Sequence, residues 1–334
     1  MEPITALQPL LSTPQKIFIT THYKPDADAI GSSLGLYHYL VQLGHEVSVV
    51  APSEVPDFLL WMPDVEVVIN YEADTEKALN VLNEADLIFC LDFNHPSRVK
   101  HLEEALTLAT APKVIIDHHL EPLTAFFAYG ISQPEKSSTC EMVYDFIKSM
   151  GGAQFINQNI MQCLYAGCMT DTGSFRFSAT TASVHEMIAD FKHRGLEHGQ
   201  IHQNIYDTYS ANRLRIVGYL LNNIYIDEEH QFSIMALSQK EAQQFDIQPG
   251  DTEGIVNMAL SVKNIQLSVM LTERAEEVRI SFRSKGNVDV STFSRTYFNG
   301  GGHFNAAGGQ SNLSLTDTIN KIKELIVSTH LISK

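Results

Sequence analysis

Between residues 16 and 172, short apolar runs rich in Ile and Val alternate with longer amphipathic segments. Runs that stay apolar without alternating suit strands covered on both faces, and their succession with helical segments is the pattern of βαβ units in a parallel sheet. The pattern predicts strands at 16–21, 46–51, 65–69, 86–92, 113–116 and 125–131, with helices at 29–43, 75–83 and 97–109. Ser138 and Glu141 in Ser-Thr-Cys-Glu read as a capping box that opens a helix running through residue 149, and 157–169 reads as another helix.

Beyond the 174–178 segment the chain turns helical and polar through Asn223. His185, His193, His198 and His202 lie here at no metal-ligand spacing and read as solvated helix residues. From Tyr225 the texture changes to antiparallel-looking strands at 232–237, 265–272 and 277–283, with helices at 238–245, 252–259, 290–298 and 314–330. The expected architecture is α/β: a parallel-sheet domain over 1–180, a helical connector over 181–226, and a smaller mixed α+β domain over 227–334.

Composition supports this division. The chain has 334 residues, 44% hydrophobic and 19% charged, enough for two domains at roughly 150 residues each. Lys and Arg total 23 against 39 Asp and Glu, a formal charge of −16 that repels long polyanions and excludes a general duplex-binding role. Pro3, Pro9 and Pro14 interrupt a start without a basic stretch or a sustained apolar run, so no signal peptide is expected. The longest uncharged stretch, 149–170, carries Gln154, Asn157, Gln158, Asn159 and Gln162, so no membrane span is expected. Cys90, Cys140, Cys163 and Cys168 form no CxxC pair and read as buried thiols of a cytoplasmic protein.

Candidate chemistry gathers where strands end. His22, Asp26 and Asp28 follow the first strand, and ligands of open α/β sheets bind outside the carboxyl ends of strands. Two carboxylates spaced i, i+2 in extended backbone point to opposite sides and suit two cations better than one; the plainer reading is a helix-capping Asp28 and an unrelated Asp26. Asp92 ends the 86–92 strand, Asp117-His118-His119 ends Val114-Ile-Ile, and Asp171 closes the apolar helix before it. One such group is explained as a helix cap; three strand ends and a helix end point to a shared crevice. Carboxylates gathered there repel one another unless metal charge compensates, and an oxygen-rich set with imidazole suits Mn²⁺ or Mg²⁺ better than thiolate-bound Zn²⁺. Ser32 and Ser33 fall in a helix first turn and are not read as nucleophiles. In the later domain, Gly300, Gly301 and Gly302 before His303 let backbone N–H groups approach an anion, and Arg283 can fork two hydrogen bonds to phosphate. The plain alternative is a glycine-rich surface loop.

These motifs, in this order, resemble the DHH phosphoesterase superfamily: His22 through Ser32, Asp92, Asp117-His118-His119 and Asp171, then Arg283-Ser284 and the 300–309 glycine run of the DHH-associated C-terminal domain. The resemblance covers nearly the whole chain and is similar to the short stand-alone nanoRNase and pAp phosphatase subtype. Asn299 departs from the pattern, where relatives usually carry another Gly. The resemblance implies an active site in the interdomain cleft, with two Mn²⁺ ions and Mg²⁺ as the alternative. His22 and Asp26 would hold one ion, Asp28, His118 and Asp171 the other, and Asp92 would bridge. Asp117 would orient the site, His119 would face the phosphate, and Arg283, Ser284, Gly300, Gly301, Gly302 and His303 would bind substrate. It further implies a two-metal hydrolase whose nucleophile is hydroxide, and which cuts short RNA oligonucleotides to nucleoside 5′-monophosphates and dephosphorylates pAp to AMP. The alternatives are a cyclic or linear dinucleotide phosphodiesterase (c-di-AMP, pApA), a RecJ-like single-strand exonuclease, and a catalytically dead nucleotide-binding module. Long duplexes and membranes are not expected partners, and a homodimer is left open.

Overall fold

The computed structural model describes residues 1–248 and 250–332; Pro249 and the last two positions of the 227–334 segment lie outside the described residues. The chain forms two compact units, Met1–Thr208 and Tyr209–Lys334.

In the first unit seven strands, β1 (Glu2–Pro3), β2 (Lys16–Thr20), β3 (Glu46–Ala51), β4 (Ile69–Asn70), β5 (Leu87–Leu91), β6 (Lys113–Asp117) and β7 (Tyr129–Ser132), make one sheet. Its order is β1-β7-β6-β5-β2-β3-β4, and every pair is parallel. The helices are α1 (Ala27–Gln42), α2 (Thr75–Asn83), α3 (Glu103–Leu108), α4 (Thr139–Ser149), α5 (Gln158–Asp171), α6 (Ala182–His193) and α7 (His198–Tyr206). Successive strand residues point to opposite faces. Ile17, Ile19, Phe89 and Ile116 therefore join the core beneath α1, α4 and α5, while Phe18, Ile88, Cys90 and Ile115 pack against Ala78 and Leu82 of α2 and Leu106 of α3. Coverage of both faces is why these strands read as continuous apolar runs.

The chain moves from β2 outward through β3 and β4, then returns to β5 on the other side of β2, so the carboxyl ends of β2 and β5 flank a topological switch point. Close backbone contact holds the helices there. A Cβ on Gly31 of α1 would lie 2.5 Å from the carbonyl oxygen of Cys163, and one on Gly167 of α5 would lie 2.8 Å from Asp28 Cα.

The second unit carries β8 (Tyr225–Asp227), β9 (Phe232–Leu237), β10 (Leu267–Glu273), β11 (Val278–Ser284), β12 (Gly301–His303) and β13 (Ala306–Ser311), with α8 (Ala211–Asn222), α9 (Gln239–Gln244), α10 (Ile255–Met258), α11 (Val290–Tyr297) and α12 (Leu315–Ser328). The sheet order is β12-β13-β11-β10-β9-β8; β9 and β10 run parallel and the other pairs antiparallel. One face packs Phe232, Val269 and Phe282 against Phe293 and Ile322, and the other packs Met235 and Met270 against Ile216 and Val256.

Several expectations change. The 65–69 segment is a 3-10 turn, Val65–Val67, followed by the two-residue β4, and 97–109 is a 3-10 segment, Pro96–Leu102, leading into α3. The helical stretch 181–226 is shared between the units: α6 and α7 lie in the first, α8 in the second. Ser138 caps α4 by accepting from Glu141 N at 3.1 Å, but the Glu141 carboxylate turns to Ser137 N and Oγ, so only half of the expected box forms. His202 is not simply solvated; its Nε2 lies 3.0 Å from Tyr165 Oη. All four cysteines are free and buried, and among the described residues no helix is long and apolar enough to cross a membrane.

Candidate metal centre

α1 starts at Ala27, two residues earlier than the expected 29–43 helix that left Asp26 and Asp28 in a loop. Asp26 is its N-cap, its Oδ1 accepting from Asp28 N and Ala29 N at 3.0 Å each, and Asp28 sits in the first turn. The expected divergence in extended backbone is thus replaced by a helical one, and Asp26, rather than Asp28, does the capping. The two still face different ways. Asp26 Oδ2 lies 3.9 Å from His22 Nε2, whereas Asp28 is fully buried and binds the first N–H groups of α4, with its Oδ2 3.8 Å from His118 Nε2.

Asp92 follows β5 with φ 63, a left-handed backbone that costs a non-glycine residue energy and turns its side chain into the crevice. Its two oxygens serve different neighbours. Oδ2 is 3.5 Å from His22 Nε2, while Oδ1 is 3.5 Å from His118 Nε2 and 2.9 Å from the Thr139 hydroxyl that donates to it. His118 Nε2 also lies 3.4 Å from Asp171 Oδ2 at the end of α5, and its Nδ1 faces the Lys136 carbonyl at 3.4 Å. Asp117 has both oxygens engaged by His119, one by its N–H at 3.1 Å and the other at Nδ1 at 2.7 Å.

Three donor groups in this unit have ligand atoms all within 4.8 Å of one another: His22, Asp26 and Asp92; Asp28, Asp92 and His118; Asp92, Asp117 and His119. Asp92 is common to all three. Ser32 and Ser33 are buried and both donate to Ala29 O, which removes them as nucleophiles.

Electrostatics identify what the cluster needs. Burial and the nearby Asp92 push the Asp28 carboxyl up to about 7, and burial with Asp28 and Asp26 pushes Asp171 well above the usual carboxylate range. Against the push of burial, hydrogen bonds with His118 and His22 hold Asp92 well below it. Burial disfavours charge on both imidazoles, yet Asp92 outweighs it and raises His22 to about 9 and His118 to about 11. The carboxylates therefore balance only against added positive charge: protons on these rings, or divalent cations in their place. The donors are oxygen and imidazole nitrogen, and burial raises the Cys140 thiol beside Asp28 well above its ordinary range, which keeps thiolate out of the set. This chemistry fits Mn²⁺ or Mg²⁺.

In the second unit Arg283 on β11 stands opposite Ala306, which stands opposite His303 on β12, so both side chains rise from one row on one face. The glycine run is a short edge strand of a hairpin rather than an open loop. A Cβ on Gly300 would strike Gly308 O and Ser294 Oγ, and Gly302 has φ 144, while Gly301 is open. Ser284 Oγ donates to Val288 O at 2.6 Å and accepts from Asn305 Nδ2 at 2.9 Å, so its proton is committed to the loop. Asn299 takes φ 48, a conformation asparagine tolerates. Sequence reasoning missed Thr139 and Lys136 as partners of the centre. For Thr139 the signal was the helix start Ser-Thr-Cys-Glu, legible only as a cap, while Lys136 meets His118 through its backbone carbonyl, which has no sequence signal.

A His/Asp centre at the switch point of a parallel α/β unit, with a mixed-sheet unit later in the chain, is the arrangement of the DHH phosphoesterases. The chain belongs to that family: the DHH family N-terminal domain matches residues 16–168 and the DHHA1 domain residues 231–328. Within the family it is NrnA-like. It is 30% identical to the bifunctional oligoribonuclease and PAP phosphatase NrnA of Thermus thermophilus over 93% of this chain and 89% of that one. The crystal structure of an exopolyphosphatase-related protein from Bacteroides fragilis superposes with a TM-score of 0.94 at 37% identity, covering 97% of this chain and 95% of that one. RecJ of Thermus thermophilus in complex with Mn²⁺ shares the fold at a TM-score of 0.52 and 12% identity, over 98% of this chain and 54% of that one.

Proposed function

We propose that this protein is a two-metal phosphoesterase that hydrolyses short RNA oligonucleotides to nucleoside 5′-monophosphates and dephosphorylates pAp to AMP. The observation that carries the reading is Asp92, whose two oxygens face His22 on one side and His118 on the other. In this proposal His22, Asp26 and Asp92 hold one Mn²⁺ and Asp92, Asp28, His118 and Asp171 hold a second, with Mg²⁺ as the alternative. When bound, such ions supply positive charge against the charge developing at phosphorus and acidify the attacking water. Asp117 fixes the His119 ring, which then presents its other nitrogen to the substrate phosphate. Arg283 and His303, rising from one row, bind a substrate phosphate, with Gly300, Gly301 and Gly302 shaping the hairpin that carries His303. Ser284 supports that row through the 284–288 loop. That the Thermus relative is an oligoribonuclease and PAP phosphatase supports the substrate class, and the buried free thiols support a reducing, cytoplasmic setting.

The test is a substrate panel in Mn²⁺ with product chromatography: RNA dimers to about pentamers, a long homopolymer, pAp, pApA and c-di-AMP. Short oligomers and pAp should be consumed with release of 5′-monophosphates. Turnover confined to pApA and c-di-AMP would replace the reading with a dinucleotide phosphodiesterase. Faster processive decay of the homopolymer would favour a RecJ-like exonuclease, and no turnover of any substrate a binding module. Arg283→Ala should lower kcat/KM on a trinucleotide roughly thirty- to several-hundredfold while leaving Mn²⁺ affinity unchanged, because a forked, charge-assisted contact is lost.

A further inference from the structure

α4 begins where the chain leaves β7, and its first two N–H groups are both taken by one buried carboxylate: Thr139 N donates to Asp28 Oδ2 at 2.7 Å and Cys140 N to Asp28 Oδ1 at 2.8 Å. The Thr139 side chain reaches a second carboxylate, its hydroxyl donating to Asp92 Oδ1 at 2.9 Å. A single fully buried residue thus ties together acids that follow two neighbouring strands, β2 and β5. The helix itself does not require that hydroxyl, since Ser138 already caps α4.

Asp92 shows what the hydroxyl accomplishes. Its left-handed backbone and the bond from its N–H to Ile116 O at 3.1 Å fix where its Cβ points. Rotation about Cα–Cβ remains, and so does rotation about Cβ–Cγ. A quarter turn there would take both oxygens out of line with the His22 and His118 groups, which each lie 3.5 Å from a different oxygen. The Thr139 bond removes that freedom, and a carboxylate oxygen with two lone pairs accepts this bond while keeping the other pair for a cation.

We propose that the Thr139 hydroxyl is a positioning group that locks Asp92 in its bridging orientation, while the start of α4 fixes Asp28 beside it. The proposal rests on the two-metal reading above. Partners of this kind, one step removed from the ion, typically govern metal affinity ten- to a hundredfold.

Thr139→Val keeps the volume and both backbone bonds to Asp28 and deletes only the hydroxyl; Thr139→Ser keeps the hydroxyl and deletes the methyl. Metal-free protein is titrated with Mn²⁺ and followed by the EPR signal of the free ion, with melting temperature by circular dichroism and kcat and KM on a trinucleotide measured in parallel. In Thr139→Val at least one class of Mn²⁺ site should weaken about ten- to a hundredfold, with kcat falling and KM nearly constant, and Thr139→Ser should match the wild type within about twofold. An unchanged Mn²⁺ isotherm and kcat in Thr139→Val overturns the proposal. So does equal damage by Ser and Val, which would assign the effect to the methyl's packing. If Thr139→Val does not fold, Thr139→Ala carries the same expectations. Wild-type protein that takes up no Mn²⁺ overturns the two-metal reading instead, and the proposal with it.

Discussion

Asp92 joins an unfavourable backbone to a side chain that no neighbour duplicates. Asn accepts the left-handed conformation and has nearly the same size, so Asp92→Asn should still fold, with a lower melting temperature because the two imidazoles lose their counter-charge, while turnover falls on the order of a thousandfold. Circular dichroism and a rate assay check both halves, and a folded variant with substantial activity would remove Asp92 from the centre. The two imidazoles set a pH dependence. Their pKa values in the fold, about 9 for His22 and about 11 for His118, exceed the unfolded value near 6.5, so their protonated rings stabilise metal-free protein fully below that value, and the stabilisation is lost as pH rises above it, through about 9 for His22 and about 11 for His118. Asp28, raised to about 7, acts in the same direction, contributing below the unfolded carboxylate value and losing it through 7. Chelated protein should therefore melt lower at pH 9 than at pH 6.5. Mn²⁺ should reverse the order, because it binds deprotonated rings. Thermal scans in EDTA and in Mn²⁺ decide this, and a chelated protein that gains stability toward pH 9 contradicts it. At this scale the acids and imidazoles were legible because each stands at the end of an apolar run. Thr139 was not, since a hydroxyl at a helix start looks the same whether it faces water or a carboxylate.

Among elements, the contact between α1 and α5 sets where Asp28 and Asp171 meet His118. Gly31→Ala would place a Cβ 2.5 Å from Cys163 O, a backbone atom that cannot swing aside, whereas nothing lies within 4 Å of a Cβ on Gly199 of α7. Gly31→Ala should cost about 1–3 kcal/mol by overpacking, and Gly199→Ala should be neutral or stabilising by about 0.5–1 kcal/mol. Urea unfolding of both variants tests the pair, and equal midpoints would show that the helices are free to separate. The strands whose bounds were fully legible carry apolar runs set off by polar neighbours: 46–51 coincides with β3 and 232–237 with β9. β13, Ala-Ala-Gly-Gly-Gln-Ser, has almost no side chain to pattern, because its place is set by backbone pairing with β11 and by the close approach of α11. The hairpin at β12 was hidden for the same reason, and its glycines read as a loop.

For the whole molecule, charge and family membership pull in different directions. A formal charge of −16 repels every phosphate that approaches, and the repulsion grows with the length of the RNA. Salt shortens the reach of that field to about 10 Å at 0.1 M. The preference for a trinucleotide over a long RNA, as a ratio of kcat/KM, should therefore narrow as salt rises from 50 to 300 mM. Rates on both substrates across that range test this, and a ratio that widens would point to a basic track for long strands. The two-unit organisation was legible in the change of texture at Tyr225. The break after Thr208 was not, because α7 and α8 on either side are similar amphipathic helices whose apolar stripes do not say which sheet they cover.

The all-parallel sheet also decides when during biosynthesis the centre comes into being. Its residues run from His22 to Asp171, and β2 must wait for β5 to be made before the two can pair. Such non-local pairing is slow, and no nascent fragment ending before Asp171 carries the full donor set. Cations that recognise only the completed constellation act after the folding barrier, so they prolong the life of the finished protein by slowing its unfolding, with little effect on how fast it forms. Metal starvation would then appear as shortened survival against proteases, before any fault in synthesis could be seen.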